Sequence, residues 1–269
     1  MSQVREAAVA GQFYPASKSE LLSAVEGFLR GAGKKVRALG MIAPHAGYSY
    51  SGAVAGAVYA HVEVPRKVIV LCPNHTGLGE PLSIISEGSF RTPLGDAQID
   101  SALAEALKKG FPLLHEDRAS QIREHAVEVQ LPFLQAVQKK LMFVPITVGT
   151  GQLEVLTALG VVLAKVIGEC SEPVLMVASS DMNHNEDDAE TRVKDALAIE
   201  QILGMSPKGL FQTVRGQNIS MCGYGPAVAM LTAAVRLGAK SAELVKYATS
   251  GDVSGDRERV VGYAGIAVR

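Results

Sequence analysis

The chain reads as an α/β protein of three layers, a central, largely parallel or mixed sheet covered by helices on both faces. Three observations predict this. Short β-branched runs alternate with longer segments of helical period along all 269 residues. Several runs, such as VIVLC and VLMVAS, are apolar throughout, as strands buried on both faces must be. No linker rich in Ser, Gly or charge divides the chain, so a single domain over 1–269 is expected.

Taken in order, a helix is expected over 18–31, opened by Ser17 and Glu20 as a capping box, followed by a strand over 37–44 that runs into Pro44. An alanine-rich helix over 51–61 leads to a strand over 67–73 and a shorter one over 82–87. Asp100 or Ser101 opens a helix over 100–109, with Gly110 as its expected C-cap. The pattern over 125–140 is helical but contains Pro132, which lacks a backbone donor and should kink or restart it. Strands over 142–148 and 173–179 enclose a helix over 153–168. Helices over 187–204 and 225–237 and strands over 243–249 and 260–268 complete the alternation.

Composition narrows the function. Lys and Arg number 26 against 27 Asp and Glu, without long runs of either sign, which argues against a nucleic-acid or anionic-membrane partner and for a small molecule. The longest apolar stretch, residues 155–167, is too short to span a bilayer, and the N-terminus lacks the regions of a signal peptide, so a cytoplasmic location is expected. Three cysteines without CxxC spacing fit neither a disulfide framework nor a zinc knuckle. The stretch GFLRGAGKK is not a P-loop, no GxGxxG follows a strand, and GYSYSG is not a nucleophile elbow.

Polar residues recur where expected strands end. The segment APHAGYSYSG presents His45 after one strand, KVIVLCPNHTG presents His75 after the next, and PVLMVASSDMNH releases Asp181 and His184 together. Open α/β sheets bind ligands outside the carboxyl ends of their strands, so these groups should converge. In NISMCGYGPAV, Cys222 stands where a loop enters a helix, and the positive helix N-terminus should lower its pKa toward the thiolate. Two imidazoles and a thiolate on separate loops suit a transition metal, although histidines that merely satisfy turn carbonyls would look the same. Asp181 and His184, three residues apart, are close enough for the carboxylate to orient the imidazole.

In REHAVEVQLPF, Glu124, His125 and Glu128 read equally as a solvated helix start or as acid and base beside a metal. Tyr48 and Tyr50 either face a substrate or pack, with packing favoured. Cys72 reads as a small buried apolar residue, and Cys170, His61 and His115 as ordinary structural or solvated groups.

From VREAAVAGQFYP through IAPHAGYSYSG, LCPNHTG, REHAVEVQLPF, SSDMNH and MCGYGP to TSGDVSG and VVGYAGIAVR, the chain resembles the MEMO1 family, whose members look like class III extradiol ring-cleaving dioxygenases. The resemblance implies an extradiol-dioxygenase-like fold and a metal held by His45, His75 and Cys222. It implies His184 as the acid–base catalyst, with Asp181 to orient or recharge it. Those dioxygenases use two histidines and a glutamate to hold Fe(II); here Cys222 stands at the carboxylate position. Fe(II) is therefore the first expectation, with copper and zinc as competitors. The implied activity is that of a dioxygenase-like oxidoreductase on a small substrate, an aromatic diol or a similar oxygen-bearing molecule. The alternatives are a metal-binding or peptide-binding signalling protein that uses the same cleft without turnover, and a zinc hydrolase with Asp181 as base.

Overall fold

The computed structural model describes residues 3–31 and 33–269. Its strands are β1 (Val4–Arg5), β2 (Gly40–Ala43), β3 (Lys67–Pro73), β4 (Leu82–Ile84), β5 (Ser89–Thr92), β6 (Gly95–Ile99), β7 (His115–Glu116), β8 (Met142–Val148), β9 (Val174–Ser179), β10 (His184–Glu186), β11 (Ala242–Thr249) and β12 (Val260–Val268). Its helices are α1 (Lys18–Phe28), α2 (Tyr48–His61), α3 (Ser101–Gly110), α4 (Ala119–Ile122), α5 (Leu131–Val137), α6 (Leu153–Gly168), α7 (Asp188–Leu203), α8 (Pro207–Gly216), α9 (Tyr224–Arg236) and α10 (Gly251–Ser254). A 3-10 turn, Glu128–Gln130, leads into α5.

The described strands join one sheet, in the order β1-β5-β6-β8-β3-β9-β2-β12-β10, with β11 on β12, β4 on β8 and β7 on β4. The central run β6, β8, β3, β9 and β2 is parallel, whereas β12 lies antiparallel to β2 and β11 antiparallel to β12. Successive residues of the central strands feed opposite layers. Ile42, Ile69 and Leu71 pack with α3, α6, α7, α8 and α9, while Met41, Val68, Val70 and Cys72 pack with α1, α2 and α5. Burial on both faces is why these strands read as unbroken apolar runs, and replacing one such Leu or Ile with Ala would cost about 2–5 kcal/mol.

Several element ends differ from expectation. Ser17 makes no side-chain cap bond and α1 stops at Phe28. Asp100 does cap α3, accepting from Leu103 N at 3.0 Å, but α3 runs through Gly110 and closes at Phe111. Pro132 restarts the helix, one of its two expected effects: it sits in the first turn of α5, where its missing N–H has no intrahelical partner to lose. The β5–β6 hairpin and α8 have no counterpart among the expected elements. The helix α8 starts at a Ser206–Pro207 cap, with the Ser206 hydroxyl accepting from Gly209 N at 3.1 Å. No described helix is long and apolar enough to cross a membrane.

Candidate metal centre

Strands β3, β9 and β2 are neighbours, so the loops leaving their carboxyl ends meet at one pole of the sheet. These are the loops of His75, Asp181 and His45. Two further segments reach the same place: the turn between α4 and α5, which carries His125, and the entry to α9, which carries Cys222. Gly223 allows that entry, because a Cβ there would lie 2.4 Å from the Ser179 carbonyl oxygen.

The three imidazoles form a cluster. Ring centroids of His45 lie 5.1 Å from His75 and 5.3 Å from His125, and His75 stacks on His125 at 4.7 Å. One ring nitrogen from each lies within 4.8 Å of those of the other two, close enough to share one ion. The Cys222 Sγ is 3.3 Å from His45 Nε2.

Hydrogen-bond partners assign the tautomers. His45 Nδ1 faces the Ser179 hydroxyl at 2.9 Å. That hydroxyl gives its own hydrogen to the Ala126 carbonyl and already accepts from Gln130 Nε2, so the proton of this contact comes from His45 Nδ1. His75 Nδ1 faces Glu124 Oε1 at 2.9 Å, and a carboxylate can only accept. Both rings therefore keep an Nε2 lone pair for a metal. Burial drives the His45 pKa well below its ordinary value, helped by the positive potential of His125, His75 and His184. Burial also lowers His125, against the pull of Glu124. Neutral imidazoles are the form that binds a metal.

Glu124 is fully buried and accepts from His75 N (2.7 Å) and Ala126 N (3.0 Å) as well as from the His75 ring. Burial pulls its pKa up, but the bonds and charge of His75 outweigh it, and the net shift is downward. A carboxylate behind a ligating histidine fixes the ring and raises its basicity. The Glu124 carbonyl in turn accepts from Arg5, whose guanidinium is paired with buried Glu128.

A match to the Memo-like protein model covers residues 5–267. The chain belongs to the Memo-like family. It is 40% identical to a MEMO1 family protein of Methanopyrus kandleri over 98% of this chain and 99% of that one. A MEMO1 family protein of Methanocaldococcus jannaschii is 39% identical over the full length of both. A MEMO1 family protein of Methanosarcina mazei is 40% identical over 99% of each. Among solved structures, an uncharacterized protein from Escherichia coli K12 shares the fold, with a TM-score of 0.56 at 12% identity, covering 83% of this chain and 98% of that one.

In this Memo-like chain several expected roles change. The helix N-terminus does not lower the Cys222 thiol. Burial pushes its pKa up and Asp181 adds to the rise, outweighing the bonds from Gly223 and its neighbours. Asp181 does not orient the ring of His184. Its Oδ1 accepts from the backbone amides of His45 (2.8 Å) and Ala46 (3.3 Å), so the carboxylate holds the His45 loop. The ring of His184 is instead set by the Ser220 carbonyl, 3.0 Å from Nδ1. Tyr48 packs, giving its hydroxyl hydrogen to the Val129 carbonyl at 2.7 Å, while Tyr50 is exposed.

Glu128 faces away from any substrate, since it takes Arg5, Ala8 N, Val9 N and the Tyr14 hydroxyl and so ties the N-terminal segment to the turn of His125. Cys72 is buried, Cys170 and His61 are half-buried, and His115 is exposed.

Ser179 and Gln130 were not singled out by sequence reasoning. Gln130 is fully buried, gives Nε2 hydrogens to Pro44 O and the Ser179 hydroxyl, and accepts from Tyr59. A polar residue amid the apolar run VEVQLPF was the available signal. A cavity of about 540 Å3 at the opposite pole, between Leu39, Pro65, Ile167, Pro173 and Leu237, contains none of these groups.

Proposed function

We propose that this chain is a metal-dependent oxidoreductase of the extradiol-dioxygenase kind that acts on a small diol, an aromatic one in the first instance. The observation that carries the reading is the shared orientation of His45 and His75. Each gives its Nδ1 proton to a fixed acceptor and keeps Nε2 free, with His125 and Cys222 alongside.

Imidazole and thiol donors fit Fe(II), copper or zinc and do not fit magnesium or calcium. His45 and His75 would hold the ion, with His125 or Cys222 as the third donor. When bound, it would supply Lewis-acid and one-electron chemistry toward dioxygen. The residues of the chain do the rest. His184, with Nδ1 committed to the Ser220 carbonyl, offers Nε2 as the site that takes a hydroxyl proton from the diol and later returns it. Asp181 keeps the His45 loop in register through the amides of His45 and Ala46.

The test is dioxygen uptake by Fe(II)-reconstituted protein with a panel of catechols. Ring cleavage places both oxygen atoms in the product, and the ring supplies the electrons, so one O2 is expected per diol with no added reductant. His184→Ala should lower uptake by roughly 10²–10⁴-fold at unchanged metal content. A thiol where dioxygenases carry a carboxylate favours a second reading, a protein that holds metal or a peptide in this cleft without turnover. Stoichiometric metal with no uptake across the panel would select it, and substrate hydrolysis without O2 would select the zinc-hydrolase reading.

A further inference from the structure

A base must present an unprotonated nitrogen to its substrate, so the tautomer of His184 matters as much as its place. Its Nδ1 partner is the backbone carbonyl of Ser220, which cannot donate. Ser220 lies in the loop before α9, 36 residues from His184 along the chain, and something must hold its carbonyl in place.

That holder is Asn183. Its side chain is fully buried, and its amide orientation is fixed by partners that have no choice of role. Oδ1 accepts from the Ser220 amide, which can only donate, at 3.0 Å, and from the Ser220 hydroxyl at the same distance. Nδ2 donates to the Glu186 carboxylate, which can only accept, at 2.6 Å. The backbone of Asn183 is pinned as firmly. Its N–H reaches Asp195 Oδ1 at 2.8 Å, and its carbonyl accepts from Gly262 N at 2.9 Å. Gly262 is required there, since a Cβ would collide with Asp195 Oδ2. The Ser220 hydroxyl closes the loop by accepting from His184 N at 2.7 Å. The next residue, Asn185, is in the left-handed region at φ 64°, inside β10 where its register on β12 shifts between His184 and Glu186.

We infer that Asn183 is a positioning residue that fixes the His184 imidazole as its Nδ1–H tautomer by clamping the Ser220 loop. The inference rests on the acid–base role proposed for His184, but its geometry can be tested without turnover. In full-length protein labelled with 15N-histidine, the ring nitrogens of His184, assigned by their loss in His184→Gln, should report Nδ1–H in the wild type. In Asn183→Ala the ratio of Nδ1–H to Nε2–H should fall at least about fivefold, the scale of one lost net hydrogen bond.

Ser220→Ala keeps the backbone amide and carbonyl but loses the hydroxyl, and should shift the ratio in the same direction by less. If Asn183→Ala does not fold, Ser220→Ala decides alone. An unchanged tautomer ratio in the folded variants overturns the inference, whatever the protein turns over. Where a diol is turned over, Asn183→Ala should lower kcat about tenfold with KM within about twofold, because the defect lies in proton transfer and not in binding. A change confined to KM would also overturn it.

Discussion

The two flanks of the histidine cluster are built with different partners behind their imidazoles. On one flank His75 gives its Nδ1 proton to Glu124, a buried carboxylate whose own backbone is held by Arg5. On the other, His184 gives its Nδ1 proton to a neutral carbonyl, while the nearby carboxylate of Asp181 is taken up by backbone amides. A charged acceptor makes a ring a stronger and more rigid donor to an ion; a neutral acceptor fixes the tautomer and leaves the ring free to gain and lose a proton. The first flank is suited to holding a metal and the second to moving a proton.

Substitutions should separate the flanks. The largest effect is expected at the proton-moving side, where His184→Ala should reduce turnover by roughly 10²–10⁴-fold, with bound metal unchanged by elemental analysis. Metal loss in that variant would merge the two roles. Next, Glu128→Ala leaves the buried Arg5 without its partner and should cost about 3–5 kcal/mol in denaturant unfolding. A loss under about 1 kcal/mol would mean that the N-terminal segment does not brace the first flank.

Glu124→Gln keeps the shape but removes the charge behind His75, and should weaken metal affinity about 10–100-fold while leaving the His184 tautomer intact. The smallest effect concerns Asp195, which supports Asn183 from beneath. Burial raises its pKa to about 6. The folded state thus binds this proton more tightly than the unfolded chain, and the cost of ionising it grows between about pH 4 and 6 and is complete above. Asp195→Asn should therefore stabilise the protein by about 1–2 kcal/mol at pH 8 and by little at pH 4, read from melting curves. An equal gain at both values would show that titration is not the cause.

Much of this architecture was legible in the sequence because burial writes itself into composition. Strands covered on both faces, such as Lys67–Pro73 and Met142–Val148, had to be apolar throughout, and their expected bounds match. The hairpin SFRT and GDAQI was not legible. Its strands are short and partly polar, and they depend on pairing with each other and with β8. The strand-exit histidines stood out because Pro and Gly bracket them.

The hydroxyl and the amide that orient the His45 ring did not stand out. Ser179 and Gln130 are 49 residues apart, and an amide or hydroxyl shows its role only once its partners are in place. The expected lowering of the Cys222 pKa failed for a related reason: a helix N-terminus is visible in sequence, whereas the burial and the Asp181 charge that overrule it are not.

The central claim is that the histidine cluster is a metal centre. Its most direct test is metal content, identity and stoichiometry on anaerobically purified wild type beside His45→Ala and Cys222→Ser. The account predicts near-stoichiometric iron or copper in the wild type and its loss in His45→Ala, with Cys222→Ser deciding whether the thiol or His125 is the third donor. A wild type that retains no metal after reconstitution with Fe(II), Cu(I) and Zn(II) would contradict the account.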